Sequence, residues 1–407
     1  MKRYTLVTAG MKATLEFLNT PYRVAPLGRL TDIELKLVNE NGDFIKEAKV
    51  YLTIPNNFKY ADGSTGRREF KTSLFGELKV GGVTGPDAPS TAYTIKAEYD
   101  GKAVNAKLNV TARGKVGDLE VGFISSPIAV SPDGTKICAM NASNTNGRLV
   151  MFDTASFQAG TTVEMLNGNN FSVAPDSNHV VISGSYSYAL TNINLATGEQ
   201  DSIRVSSYNH GACAWDVEGR HVYVVHGVGL TKVDTITKRE KRIFEMGSSY
   251  VDTPVLRSVD GRRVFIFVSN FSNSSLIRSF DTSADALIRT SASFSSVSGF
   301  ALSPDGIHIY TSFNADRKIK VFDSVSLSEI RSVDASKPGA LAMSPDGRLL
   351  FFASEEMKVS AMDTVSLQVV KTFNVAGDPK SLALSPCGSR LYVAYKAKTF
   401  ITVIQVE

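Results

Sequence analysis

His210, Trp215 and His226 fall within one short stretch of this 407-residue sequence. An imidazole can donate, accept or ligate a metal near neutral pH, and an indole offers a flat apolar surface with one donor. The five histidines are otherwise scattered, and no two have metal-ligand spacing, so a structural zinc is not expected. Cys138, Cys213 and Cys387 are an odd, sparse set that reads as small thiols in or beside strands rather than as a disulfide framework. Gly227-Val228-Gly229 lacks the further glycine and the strand–turn–helix context of a dinucleotide site and reads as a hairpin loop. Nucleophile elbow, phosphate loop and zinc motif are all missing. The expectation is therefore a protein that is not an enzyme, with no catalytic residue, no metal and no cofactor.

Charge and hydropathy narrow the partners. Residues 1–113 carry 17 Lys/Arg and 12 Asp/Glu, and the remainder carries 27 and 28. So small a surplus does not make the concentrated basic stripe that phosphates require, and nucleic acid is not an expected partner. The apolar runs are strand-sized, well short of the ~20 residues that span a bilayer, so membrane insertion is not expected. The basic start Met1-Lys2-Arg3 is not followed by the ~7–15 apolar residues of a secretory signal.

The elements that position these side chains come from a repeat. Ser131-Pro132-Asp133-Gly134 recurs at residues 303–306 and 344–347, with degraded copies at 174–177, 216–219, 258–261 and 385–388, spaced 41 to 45 residues apart. Asp-Gly supplies the positive φ of a tight hairpin, and a proline ahead of it ends the preceding strand. An apolar strand precedes each turn and a β-rich strand follows it. A third strand ends in Asp-Thr or Asp-Ser, as at Asp153-Thr154, Asp234-Thr235, Asp281-Thr282, Asp323-Ser324 and Asp363-Thr364. Four short strands in ~40–45 residues are the signature of a propeller blade. Residues 114–407 therefore predict a seven-bladed β-propeller. They resemble the YVTN-type repeat, with Asp363-Thr364 through Gly388 the nearest copy.

The last repeat supplies strands near residues 381–384, 390–394 and 400–404 and then stops, while 118–123 stands at the spacing of an outer strand. The ring is expected to close by pairing 118–123 with 400–406, since an unpaired edge is a liability. Residues 113–117 then act as a hinge.

Residues 1–113 lack the Asp-Gly beat. Leu30 to Val38 alternates at period two, Asn39-Glu40-Asn41-Gly42 is a turn, 48–54 is a strand stopped by Pro55, and 93–99 with 104–110 forms a closing hairpin. A sandwich of about seven strands fits this length. Asn41-Gly42, Phe75-Gly76 and Val110-Thr111-Ala112 resemble bacterial Ig-like domains of the invasin and intimin type, with Leu74-Phe75 standing where that family has Thr-Asp. The fold class expected for the whole chain is all-β: an N-terminal Ig-like β-sandwich (1–113) and a C-terminal seven-bladed propeller (114–407).

In a propeller, loops between second and third strands share a face with loops joining one blade to the next. That face gathers Tyr186, Tyr188, Tyr208, His210, His226, Tyr250, Asp252, Phe271 and Asn314, aromatic and polar groups suited to a protein or sugar partner. Trp215 is expected in the core. Ig-like domains of the resembled type act as spacers, anchors or adhesive modules. The resemblance implies a surface or virion component of phage fibre or decoration type. Its Ig-like domain would anchor to other structural proteins, and its propeller would face a host-surface protein or glycan. The alternatives are a bacterial extracytoplasmic adhesin and a lactonase-like propeller hydrolase.

Overall fold

The computed structural model describes residues 5–7, 12–20, 22–24, 30, 32–86, 90–110, 114–141, 147–154, 156–165, 168–184, 187–206, 210–226, 229–245, 255–269, 274–295, 297–354 and 356–406. These residues are all-β, arranged in many small and mainly antiparallel sheets. The chain divides into two compact units. One holds Met1–Lys115 with Gly388–Arg390 and Ile404–Glu407, and the other holds Val116–Cys387 with Leu391–Val403.

The first unit has a four-stranded sheet in the order Thr5–Val7, Lys12–Phe17, Ile33–Asn39, Glu77–Val80. A five-stranded sheet runs Tyr22–Val24, Lys102–Val110, Ser90–Tyr99, Lys49–Thr53, Arg67–Lys71. Alternation explains the burial. Ile33, Leu35 and Leu37 are buried while Glu34 and Lys36 between them are half-exposed. They share one core with Val50, Leu52, Leu78, Ile95, Ala106 and Leu108. The strand expected at 30–38 occupies Ile33–Asn39, and Leu30 N donates to Val83 O (2.6 Å) ahead of it.

The second unit is propeller-like. Its first sheet is Ile128–Val130, Lys136–Asn141, Gly147–Asp153, Ala159–Met165, and the second is Asn170–Val173, His179–Ser183, Ala189–Asn194, Gln200–Arg204. The third is His210–Trp215, His221–His226, Gly229–Asp234, Glu240–Glu245. The fourth is Val255–Arg257, Arg263–Ser269, Ser274–Asp281, Ala286–Thr290, with Phe294–Ser295 also on its third strand. The fifth is Gly299–Leu302, His308–Phe313, Lys318–Asp323, Glu329–Asp334, and the sixth is Pro338–Met343, Leu349–Ser354, Lys358–Asp363, Val369–Asn374. The seventh joins Pro379–Leu384, Arg390–Tyr395 and Phe400–Gln405 to Gly114–Glu120 from the other end of the sequence. That strand begins at Gly114, so residues 114–117, expected as hinge, belong to the ladder. It ends early because Val121 N and Gly122 N both donate to Thr399 O (3.0 and 2.9 Å).

The repeated residues lock four of the turns. Ser344 Oγ donates to Asp346 Oδ1 (2.6 Å) and accepts from Leu349 N (2.8 Å), and the same pattern holds at Ser131, Ser258 and Ser303. The hydroxyl after the third-strand Asp then reaches the carbonyl of the turn glycine. Thr154 bonds Gly134 O (2.6 Å), Thr282 Gly261 O (2.7 Å), Ser324 Gly306 O (2.6 Å) and Thr364 Gly347 O (2.7 Å). So the two sequence signals, ~20 residues apart, are two halves of one hydrogen-bonded corner.

Neighbouring turns also pack on one another. A Cβ on Gly219 would lie 3.6 Å from Pro175, one on Gly347 3.3 Å from Pro304, and one on Gly134 3.4 Å from Pro386 of the last turn. In the second turn, where serine replaces glycine, Ser177 holds φ at 59° and its Oγ accepts from Asp133 N of the first turn (2.9 Å). These contacts give two glycines separable roles. Gly261 and Gly306 have φ of 70° and 72°, but a Cβ on Gly261 would lie 2.7 Å from Val217 while one on Gly306 would meet nothing within 4 Å. Both alanine variants bear the left-handed cost of ~1–2 kcal/mol. Gly261→Ala is expected to lose at least ~1 kcal/mol more in urea unfolding, because it also displaces the neighbouring turn. Equal losses would show the turn-to-turn contact to be idle.

Candidate functional site

Within the third sheet, His210 opens the first strand and His226 closes the second, and antiparallel register sets them opposite each other. A bulge between His210 and Cys213 accompanies this pairing. Both imidazoles are buried, at 2% and 1% exposure. His226 Nε2 and Thr231 Oγ1 share a hydrogen bond of 2.8 Å. Glu240 Oε2 accepts from Ser206 N (2.9 Å). Val205, Val224 and Val233 complete a shallow recess with no room for a water-sized body. Lys232 and Lys241 hold the same sheet to the fourth by reaching the two oxygens of Asp285 at 3.1 and 2.8 Å.

Burial chiefly, then the neighbouring His210 and Arg242, push the His226 pKa down to about 4, with Glu240 opposing. His226 is therefore a neutral imidazole in the folded protein over most of the pH range. The unfolded chain binds its proton near pH 6.5, so the unfolded state gains protons first as pH falls. This residue contributes nothing to pH dependence above pH 6.5. Between about 6.5 and 4 it removes at most ~3 kcal/mol of stability, after which the loss levels off. A His226→Gln variant keeps a partner for Thr231 and removes the titration. Urea midpoints at pH 7.5 and 4.5 should fall less for the variant than for the natural chain. Parallel falls would show that His226 is not held neutral.

Trp215 is 4% exposed, and its Nε1 donates to Ser172 O (3.0 Å) of the second sheet, so it works as a core bridge. Tyr188 is 55% exposed in the bend just before the third strand of the second sheet. Asn314 lies in the turn between the second and third strands of the fifth sheet, and its Nδ2 donates to Lys337 O (3.3 Å). Tyr186, Tyr208, Tyr250, Asp252 and Phe271 lie outside the described residues. The structure thus joins His210 and His226 directly and leaves Tyr188 and Asn314 in connections of two different sheets. Thr231 and Glu240 complete the recess without having stood out in the sequence. Thr231 was within reach of a register argument. With His226 opposite Gly229, period-two alternation puts Thr231 on the same face as His226.

The acidic turn residues cap their own backbones. Asp260 Oδ1 accepts from Arg262 N (3.1 Å), Asp305 Oδ1 from Ile307 N (2.9 Å) and Asp346 Oδ1 from Arg348 N (3.1 Å). Among the described residues, no three His, Cys, Asp or Glu side chains come together to hold a metal.

No protein-family model matches the sequence, and no curated protein matches it. The fold does match solved structures. One is hydrazine synthase of Kuenenia stuttgartiensis, at a TM-score of 0.59 and 16% identity, over 69% of this chain and 94% of that one. Identity this low speaks to fold alone. It nonetheless corrects the expectation that the chain is not an enzyme, because a matching fold belongs to a synthase. The missing motifs were a poor ground for that exclusion. A motif search sees chemistry held on one strand–turn unit, whereas a fold of many small sheets can assemble a site from loops far apart in sequence.

Proposed function

We propose that this chain is a surface or virion binding protein that divides its work between its units. Residues 1–113 form an Ig-like sandwich of the invasin and intimin type that attaches to structural proteins of a larger assembly. Residues 114–407 form a seven-bladed propeller of the YVTN type whose loop face meets a host-surface protein or glycan. The observation that carries this reading is the separate core of the first unit, drawn from Ala13 to Leu108 without a side chain from the repeats. A domain with its own core can dock by itself. Exposed Tyr188 and the buried His210–His226 pair suit a rigid contact surface.

A fragment of residues 1–113 should join the parent assembly, and one of residues 114–407 should not. Attachment through the second fragment alone would reverse the assignment.

A further inference from the structure

The first unit displays three apolar side chains on a stiff support. Phe44, Leu74 and Phe75 are 46%, 65% and 64% exposed. The two rings meet edge to face at 6.4 Å and 88°, and Lys36 Nζ lies 5.1 Å from the Phe44 ring centre. Two loops present them, and backbone bonds tie those loops together. Leu37 N donates to Gly76 O (2.8 Å), Ile45 N to Leu37 O (3.1 Å) and Gly76 N to Ser73 O (3.1 Å). Ser73 Oγ accepts from both Phe75 N and Glu77 N (3.2 Å each). Gly76 has φ of 65°, and a Cβ there would lie 2.4 Å from Leu37 O, so the glycine is what lets the two loops meet. An exposed apolar cluster costs solubility and the turn does not need it, since its hydrogen bonds are made by backbone and Ser73.

We propose that Phe44, Leu74 and Phe75 form the anchor by which this chain attaches, inserting into an apolar pocket rimmed by Lys and Arg on a different protein of its assembly. This rests on the reading that the first unit is the attached end. Charge selects the rim. The unit is basic overall, with 17 Lys/Arg to 12 Asp/Glu, yet around this patch acids outnumber bases, with exposed Glu40, Asp43, Glu47 and Glu77 against exposed Lys46 and the Lys36 ammonium beside Phe44. Size selects a pocket over a second copy. Three side chains offer a patch of only a few hundred Å², against ~800 Å² per partner for a stable interface, and self-pairing would oppose like charges. The same carboxylates disfavour an anionic membrane surface.

The test replaces Phe75 with p-benzoylphenylalanine in the full chain, within its native assembly, and irradiates it. Parallel chains carry the probe at Lys59 of the same unit and at Val365 of the other. A product joining position 75 to a different protein is expected. That protein, once purified, should bind the full chain at least ~30-fold less tightly after Leu74→Thr with Phe75→Asp, residues that suit the turn and keep it folded. Binding should also weaken with salt. A product at 75 with a second copy or with lipid, or an unchanged affinity, overturns the proposal. A product at 59 but not at 75 overturns the anchor while sparing the attached-end reading. A product at 365 alone overturns both.

Discussion

Removing residues 114–123 is expected to abolish a single cooperative unfolding transition of the second unit and to promote aggregation. The seventh sheet draws its outermost strand, Gly114–Glu120, from the opposite end of the sequence. Leu119 is 1% exposed and packs in one cluster with Ile401 and Val403 of the last strand and Ile128 and Ile137 of the first sheet. Thr402 Oγ1 donates to Asp118 Oδ1 (2.8 Å) and accepts from Tyr395 (2.7 Å). The loss is therefore shared by the first and last sheets, and it bares the edge of Phe400–Gln405. Leu119→Ala is the milder version and should cost ~3 kcal/mol in urea, from lost burial and the cavity left behind. A cost below ~1 kcal/mol would mean that the strand lies against the sheet without supporting it.

What the sequence made legible follows from how local each signal is. The Asp-Gly turns were readable because positive φ is a property of one residue. The six glycines Gly134, Gly219, Gly261, Gly306, Gly347 and Gly388 have φ between 70° and 75°. The Asp-Thr ends were readable because they recur at fixed distance, although their partner, the turn glycine carbonyl, was not visible beforehand. Contacts between sheets were illegible. Ser183 Oγ donates to Gly211 O (2.6 Å) and Ser312 Oγ to Gly339 O (2.6 Å), each from a second strand to the next sheet's first strand. Nothing in either serine's neighbourhood marks it. The outer strand expected at 118–123 lies at Gly114–Glu120 because no turn residue precedes it to fix its start.

The candidate site was half legible for a related reason. His210 and His226 stood out by residue type, and their nearness follows from the hairpin that joins their strands. Their burial does not. A residue at a strand end is exposed or covered according to the neighbouring sheet, and here Val205 of the sequence before His210 helps line the recess. Both lie at paired strand ends and are buried there.

Gly229→Ala should couple the fold to that pair of histidines. Gly229 pairs with His226 on one side and Glu245 on the other. A Cβ there would lie 1.9 Å from Phe244 O, 3.0 Å from Phe244 C and 3.3 Å from Glu245 Cα, all backbone atoms. No rotamer change can relieve such a contact, so the strand Glu240–Glu245 must move. It already bulges beside Leu230 and Thr231, and Phe244 is held by Phe280 at 5.6 Å and by the Arg278 guanidinium at 4.8 Å. Moving it disturbs the ladder and this packing together, and a loss of at least ~3 kcal/mol in urea is expected, in the range of severe core substitutions. Gly339→Ala is the control, because its Cβ would meet nothing closer than 3.7 Å. It should stay within ~1 kcal/mol of the natural chain. Glu240, which lines the recess, rides on the displaced strand, and Thr231 sits two residues beyond the altered position. His226 should gain water and its pKa should climb from about 4 toward the ordinary histidine value. A histidine titration followed by NMR in both variants reads this directly. A rise in Gly229→Ala alone is expected, and a His226 that still titrates near 4 in a destabilised Gly229→Ala chain would uncouple the recess from the strand that walls it.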